Sequence, residues 1–394
     1  MKKLNAKTLL QMLPKNVFSD LSKKYDVDYK VKKLPGHIVF LTIFETLIGG
    51  LSFSLRSFAG TFNRAKFQKR VLGNNNHLTI DHTSFHHRLN KIHFGYFRGI
   101  FETVKQTFSH YLIDRSKKYQ PLIFDSTIVT FSDTLLKAGF NITSQGNKKQ
   151  VKFTIAYNGI PIVSECYTGK RYNSENNALG ETILGTDISK DEIILFDRGL
   201  QRRSTYDQIT EKGNFFIGRL QSNYLVDVIR EITQNPEKNI TKELQGYLYG
   251  SGKSGKTKHL YRIVHATHAP QKKGNKKESA KQAEEMVFVT NIPTEVMSAE
   301  EIAATYRKRW DIEVFFRFLK QNLHFSHLVN RTENGIKSIM YIIMAYAIIL
   351  LVYKKLNSLT GYRHVKAAFM MDFLEESATL EDPKVGRMFR LQFW

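Results

Sequence analysis

The chain has a single cysteine, Cys166, among 394 residues. One thiol excludes an internal disulfide framework and any zinc site built on cysteines, and it suits a reducing compartment. The one membrane-like segment, Ile339 to Tyr353, is shorter than the roughly 18–20 apolar residues a spanning helix needs. It is flanked by Lys337, Lys354 and Lys355. It is expected as a buried core helix, with no membrane partner. The opening MKKLNAKTLLQMLPKNVFSD lacks the long apolar segment of a signal peptide, and a cytoplasmic protein is expected. Acidic residues are scarce: 36 Asp and Glu face 59 Lys and Arg, a formal net charge of +23. That excess calls for a polyanionic partner, nucleic acid before an anionic membrane surface. With 42% hydrophobic residues, the chain is globular and long enough for two or three domains.

Glycine and proline are absent from Ser298 through Phe325, SAEEIAATYRKRWDIEVFFRFLKQNLHF, and the stretch reads as one helix. Ser298 and Glu301 have the spacing of a capping box. At 100° per residue Tyr306, Arg309, Glu313 and Lys320 fall within an arc of roughly 60°. Ile312, Phe315 and Leu319 lie about half a turn away and can face a core. A carboxylate, two cations and a phenol on one face suit a phosphodiester held beside a metal. An exposed face of ordinary Arg–Glu and Glu–Lys pairs would look the same.

Residues 1–115 read as a basic helical region with few strand signals. Two short helices are expected there, Ser54 to Phe62 and His82 to Ile92, the second behind Thr79 or Asp81 as cap. The second offers His82, His86 and Arg88 for bases and phosphates. A helix-turn-helix would use them so, although the connection is long for that motif. The His82–His86 spacing also suits a metal, but no HExxH glutamate or nearby cysteine accompanies it.

Two strands then carry an acid where an acid is unexpected. QPLIFDSTIVTF, 120–131, is apolar around Asp125; EIILF, 192–196, is followed by Asp197 and Arg198–Gly199. Burying a carboxylate in a strand is costly unless it is paired or bound to a metal. Between them Asn158–Gly159 marks a hairpin and 175–185 reads as helical. A helix at 205–212 and a strand at 214–220 follow. Strand with Asp, hairpin, helix, strand with Asp, helix, strand and, later, a helix with Glu is the order of a ribonuclease H-like α/β core, a mixed sheet flanked by helices.

Tyr306, Arg309, Glu313 and Lys320 fit Y-x2-R-x3-E-x6-K without a gap, Asp125 stands in DST, and Asp197 in DRG. On these residues the chain resembles bacterial insertion-sequence transposases of the DDE type, over roughly residues 116–355. The resemblance implies that Asp125, Asp197 and Glu313 bind two Mg²⁺ ions, with Mn²⁺ a possible substitute. It implies that Tyr306, Arg309 and Lys320 hold the DNA. The partners it implies are double-stranded DNA, namely the transposon's terminal inverted repeats and the target, and a second copy of the chain in a homodimer on paired ends. The activity it implies is metal-dependent cleavage and strand transfer in cut-and-paste transposition. A silent DNA-binding relative, or a nuclease that never joins strands, is the alternative.

Five segments are therefore expected: helical 1–115, core 116–213, a β-rich insertion 214–292 as in relatives, core 293–358 with the glutamate helix, and a tail 359–394. Within the insertion, short β-type runs are expected at 224–229, 244–249, 260–266 and 286–292. The loop 268–285 is polar and lysine-rich. Gly250 to Thr257, GSGKSGKT, satisfies the phosphate-loop pattern. That pattern needs a helix after it, whereas KHLYRIVHATH reads as a strand. A hairpin tip is the better account, so no nucleotide cofactor is expected. In the tail a helix is expected at 365–376.

Overall fold

A computed structural model describes residues 4–73, 78–113, 118–132, 140–141, 148–232, 239–250, 255–268, 284–327 and 329–379. Seven helices come first: α1 (Ala6–Gln11), α2 (Val17–Lys24), α3 (Gly36–Ile48), α4 (Leu55–Phe62), α5 (Ala65–Val71), α6 (His82–Lys91) and α7 (Phe94–Leu112). Ser54 caps α4 by accepting from the Ser57 amide, and Asp81 caps α6 by accepting from the Ser84 amide. Both helices start where their cap residues predict.

The mixed α/β body follows. Its first half contains β1 (Gln120–Ser132), β2 (Phe140–Asn141), β3 (Lys148–Tyr157), β4 (Pro161–Tyr167), α8 (Glu175–Gly185), β5 (Glu192–Phe196), α9 (Arg203–Glu211) and β6 (Phe215–Arg219). β1, β5 and β6 run parallel as neighbours, and β3 runs antiparallel on the other side of β1. β4 returns along β3 through the Asn158–Gly159 turn, where Gly159 takes φ +103°, a conformation that glycine adopts without strain. Four further strands, β7 (Val226–Glu231), β8 (Ile240–Leu248), β9 (Tyr261–His268) and β10 (Glu284–Thr290), form an antiparallel run. β10 pairs with β6, so these strands extend the same sheet.

Alternating side chains along the strands feed two cores. Ile123, Ile155, Leu195 and Ile217 face one core with Ile302, Ile312 and Phe315. Leu122, Phe124, Ile194, Phe196 and Phe216 face the other with Leu179, Ile183, Tyr206 and Ile209 of α8 and α9. The first core is shared with the N-terminal helices, including Phe58, Phe62, Phe97, Phe101 and Phe108.

The chain closes with α10 (Ala299–Arg307), α11 (Trp310–Asn322), α12 (Glu333–Leu356) and α13 (Tyr362–Thr379). The single helix expected from Ser298 to Phe325 is two. The capping box is present: the Ser298 hydroxyl accepts from the Glu301 amide, and the Glu301 carboxylate accepts from the Ser298 amide. At Lys308 and Arg309 the hydrogen bonds tighten, Lys308 N donating to Thr305 O and Arg309 N to Tyr306 O. That tighter turn separates α10 from α11.

α12 spans 24 residues, longer than the apolar run suggested. By length and composition it could cross a membrane, yet 94% of its most apolar window is buried inside the fold. It lies chiefly along α7 rather than on the sheet; Tyr341 reaches β4 by donating to the Ser164 carbonyl (3.1 Å).

The β7–β10 run is tied to the start of α10 by a buried ion pair. Arg262 on β9 pairs with Glu243 on β8, and its Nη1 donates to the carbonyls of Met297 (2.6 Å) and Ile292 (3.3 Å). Removing one member of a buried pair leaves an uncompensated charge and costs ~3–5 kcal/mol. Arg262→Met is therefore expected to lower the unfolding free energy by about that much. Denaturant titration would show it, and Arg262→Met combined with Glu243→Leu would recover most of the loss.

Candidate active site

β1 and β5 are parallel neighbours in the register Gln120↔Glu192 through Ile123↔Leu195. Two residues further along each strand, the same register places Asp125 level with Asp197. Adjacent strands are about 4.8 Å apart, so the two carboxylates come near each other, Asp125 part-way along β1 and Asp197 just past the end of β5. Asp125 lies on the long β1, opposite Ile155 of β3. Asp197 follows the last residue of β5, and its Oδ1 accepts from the Gly199 amide (2.8 Å). Gly199 is required by close approach: a Cβ there would lie 2.9 Å from Asp197 Oδ1 and 3.0 Å from Glu175 Cγ.

Glu313 comes from the first turn of α11. Arg309 joins it to the strands, Nη2 bonding to Glu313 Oε1 and Nη1 to Asp125 Oδ2 (3.4 Å). The turn between α10 and α11 gives this guanidinium its reach. Tyr306, on the last turn of α10, is 5% exposed and lies against Phe288 with ring centroids 4.7 Å apart. Its hydroxyl is buried without a partner among the described residues. Arg309 also lies over the Tyr306 ring, at 5.9 Å. Lys320, three turns along α11, is exposed at the rim. Partial desolvation holds its ammonium below the usual lysine range, and Asp125 opposes that shift.

The site concentrates negative charge. Burial first, then the neighbouring Asp197, push Asp125 up to about 7, with Arg309 pulling the other way and Glu175 adding to the rise. A divalent cation would relieve that crowding. All-oxygen donors suit hard ions such as Mg²⁺. Among the described residues no three such side chains close on one point; the Arg309 guanidinium lies between Asp125 and Glu313. The all-carboxylate donor chemistry fits a divalent ion, and Asp125, Asp197 and Glu313 would hold it.

The N-terminal residues fare differently. His82 is exposed on α6. His86 is half-buried and shares a hydrogen bond with Asn90 (3.1 Å); burial, then His87 and Arg331, lower its pKa. Arg88 must be withdrawn as a DNA contact. It donates to the carbonyls of Leu34 (2.7 Å) and Val27 (2.8 Å) and pairs with Asp28 (3.0 Å). Its guanidinium is committed to the loop before α3.

The phosphate-loop pattern is followed by strand β9, as its sequence suggests. Residues 251–254 and 269–283 lie outside the described residues, so most of the polar loop does too. Lys256 is exposed and pairs with Asp227 (3.0 Å). Exposed pairs contribute little, so Lys256→Ala is expected to leave both the melting temperature and DNA cleavage essentially unchanged. Severe loss together with ATP dependence would revive the nucleotide reading.

Residues 116–350 match the family described as Transposase DDE domain. The chain belongs to the DDE transposase family. A putative transposase for insertion sequence element IS4SA from Synechocystis sp. is 27% identical over 282 residues, 69% of this chain and 71% of that protein. A probable transposase for insertion sequence element IS5377 from Geobacillus stearothermophilus is 22% identical over 263 residues, 66% of this chain and 63% of that protein. A solved piggyBac transposase synaptic complex with hairpin DNA is 12% identical, with a TM-score of 0.42, covering 98% of this chain and 82% of that one. As a member of this family the chain is a DNA transposase. Two residues beside its carboxylates, Lys152 and Glu175, were not singled out from the sequence. The available signal was a lysine inside the apolar run VKFTIAY.

Proposed function

We propose that this transposase binds the terminal inverted repeats of its insertion sequence as a homodimer on paired ends. It then cuts and rejoins DNA at Asp125, Asp197 and Glu313. The observation that carries the proposal is the nearness of Asp125, on β1, and Asp197, just past its parallel neighbour β5, with Glu313 joined to Asp125 through Arg309. The strand order β4-β3-β1-β5-β6, with carboxylates on β1 and just past β5, supports a ribonuclease H-like core. On this reading 1–115 is a DNA-binding region, 116–213 and 293–358 make the core, 214–292 is the insertion and 359–394 the tail.

Asp125, Asp197 and Glu313 would hold two Mg²⁺ ions, or Mn²⁺ in their place, which would supply activation of the attacking oxygen and stabilisation of the leaving one. The protein's part is placement. Asp125, Asp197 and Glu313 present oxygens from three elements. Arg309, bonded to Asp125 and Glu313, would pass from those carboxylates to a phosphate once cations take them, for which its planar fork is suited. Lys320 adds charge at the rim, and the Tyr306 hydroxyl offers a donor. His82 and His86 on α6 remain the N-terminal DNA contacts. The protein works in the bacterial cytoplasm, on the nucleoid.

The test is cleavage of a DNA carrying the element's inverted repeats, with Mg²⁺, followed by assay of strand joining. Cutting at the repeat ends and joining to target are expected. Cutting without joining would make the protein a nuclease, and binding without cutting a silent relative. Binding should weaken steeply with salt, with a log–log slope of about −0.9 for each phosphate neutralised. A flat salt response would remove the charge argument.

A further inference from the structure

Lys152 on β3 is fully buried, which is rare for a lysine without a purpose-built partner. Its Nζ donates to Glu175 Oε1 and to the Asn173 carbonyl, both at 2.8 Å. Glu175 is the first residue of α8, so the buried ammonium pins the start of that helix. The next residue, Asn176, accepts from the amides of Gln201 (2.7 Å) and Arg202 (2.8 Å). These are the residues just after the Asp197 turn. The Glu175 side chain and Asp197 both crowd Gly199: a Cβ there would lie 3.0 Å from Glu175 Cγ and 2.9 Å from Asp197 Oδ1. Its second oxygen, Oε2, is buried and has no partner among the described residues.

A carboxylate oxygen buried without a donor is costly. Lys152 satisfies only Oε1. The atom that would complete Oε2 must be a donor, and the Glu175 side chain lies against Gly199, two residues past Asp197. A water molecule held by a divalent ion at Asp125 and Asp197 has that chemistry, because Mg²⁺ keeps several of its waters and those waters are strong donors.

We propose that Glu175 is a positioning residue of the carboxylate site: held by Lys152, it receives a hydrogen bond through Oε2 from ion-bound water and fixes the Asp197 turn. The inference rests on the metal-dependent reading of the site. Glu175 is not one of the ion's direct ligands and touches no DNA. It sets where the ion's water shell sits and how the Asp197 carboxylate is presented. Hydrogen-bonded partners of this kind change metal affinity by about ten- to a hundred-fold when removed.

The experiment uses the full chain without DNA. Mn²⁺ is titrated and followed by electron paramagnetic resonance for wild type, Asp125→Asn, Glu175→Gln and the paired variant Lys152→Met with Glu175→Gln. The paired variant removes both charges together, so no lone buried ammonium remains to unfold the protein. Melting of the metal-free proteins is measured alongside.

Glu175→Gln and the paired variant are expected to bind Mn²⁺ at least about ten-fold more weakly than wild type, while the paired variant melts close to wild type. If both folded variants bind Mn²⁺ like wild type, the pair is structural only and the proposal is overturned. If Glu175→Gln fails to fold, the paired variant alone decides, and unchanged Mn²⁺ affinity in it overturns the proposal. If wild type and Asp125→Asn bind Mn²⁺ alike, the carboxylate site itself has failed. The two failures are therefore distinguishable.

Discussion

Asp125→Asn, Asp197→Asn and Glu313→Gln should each slow cleavage of repeat-end DNA by at least about a thousand-fold, while DNA binding stays within a few-fold of wild type. The asymmetry follows from geometry. The three carboxylates sit part-way along β1, just beyond β5 and on α11, with the cations Arg309 and Lys320 beside them. Removing a carboxylate takes away an ion ligand and leaves the positive surface intact. A gel-shift assay and a cleavage assay on the same preparations check both halves. Retained cutting by any one variant would remove that residue from the site.

The second large effect concerns stability and pH in the absence of divalent ions. Asp125 titrates near 7 in the folded protein against an ordinary 3.8, through burial and then Asp197. Between those two values the folded state binds a proton that the unfolded state has lost. Stability from this group is therefore full below about pH 4 and declines as pH rises to about 7. A shift of that size corresponds to ~4 kcal/mol as an order of magnitude. Asp125→Asn removes the titrating group, so its melting temperature should exceed wild type at pH 8, and the gap should close towards pH 5. Adding Mg²⁺ at pH 8 should raise the wild-type melting temperature and leave the variant behind. Melting curves from pH 5 to 8, with and without Mg²⁺, give the result; a wild type that melts higher at pH 8 than at pH 5 relative to Asp125→Asn would refute the assignment.

Much of this site could be read from the sequence because its parts break local rules. An aspartate in an apolar strand, an aspartate before Arg-Gly and a spaced run of polar residues on a helix are visible without a structure. The break at Lys308 and Arg309 was not visible, since no glycine or proline marks it. It accompanies a contact across the fold, Arg309 to Asp125. Arg88 misled for a similar reason. On a polar helix the sequence does not say which face turns inward, and the partner that decides it, Asp28, lies 60 residues away. Lys152 and Glu175 were missed because a lysine in a hairpin strand and a glutamate at a helix start are both ordinary; only their meeting inside the fold is not. The capped helices α4, α6 and α10, in contrast, begin where local side-chain chemistry places them.

One core runs from the N-terminal helices through α12 to the sheet face beneath α10 and α11. That continuity makes the chain poor material for modular exchange. A deletion of 1–115 would strip α12 of α7 and expose a long, almost wholly apolar helix, so the remaining fragment would aggregate before it could be assayed. Replacing the N-terminal helices with another module would meet the same barrier. Substitutions in those helices are tolerated on their outer faces, because the inner faces belong to the core they share with the sheet.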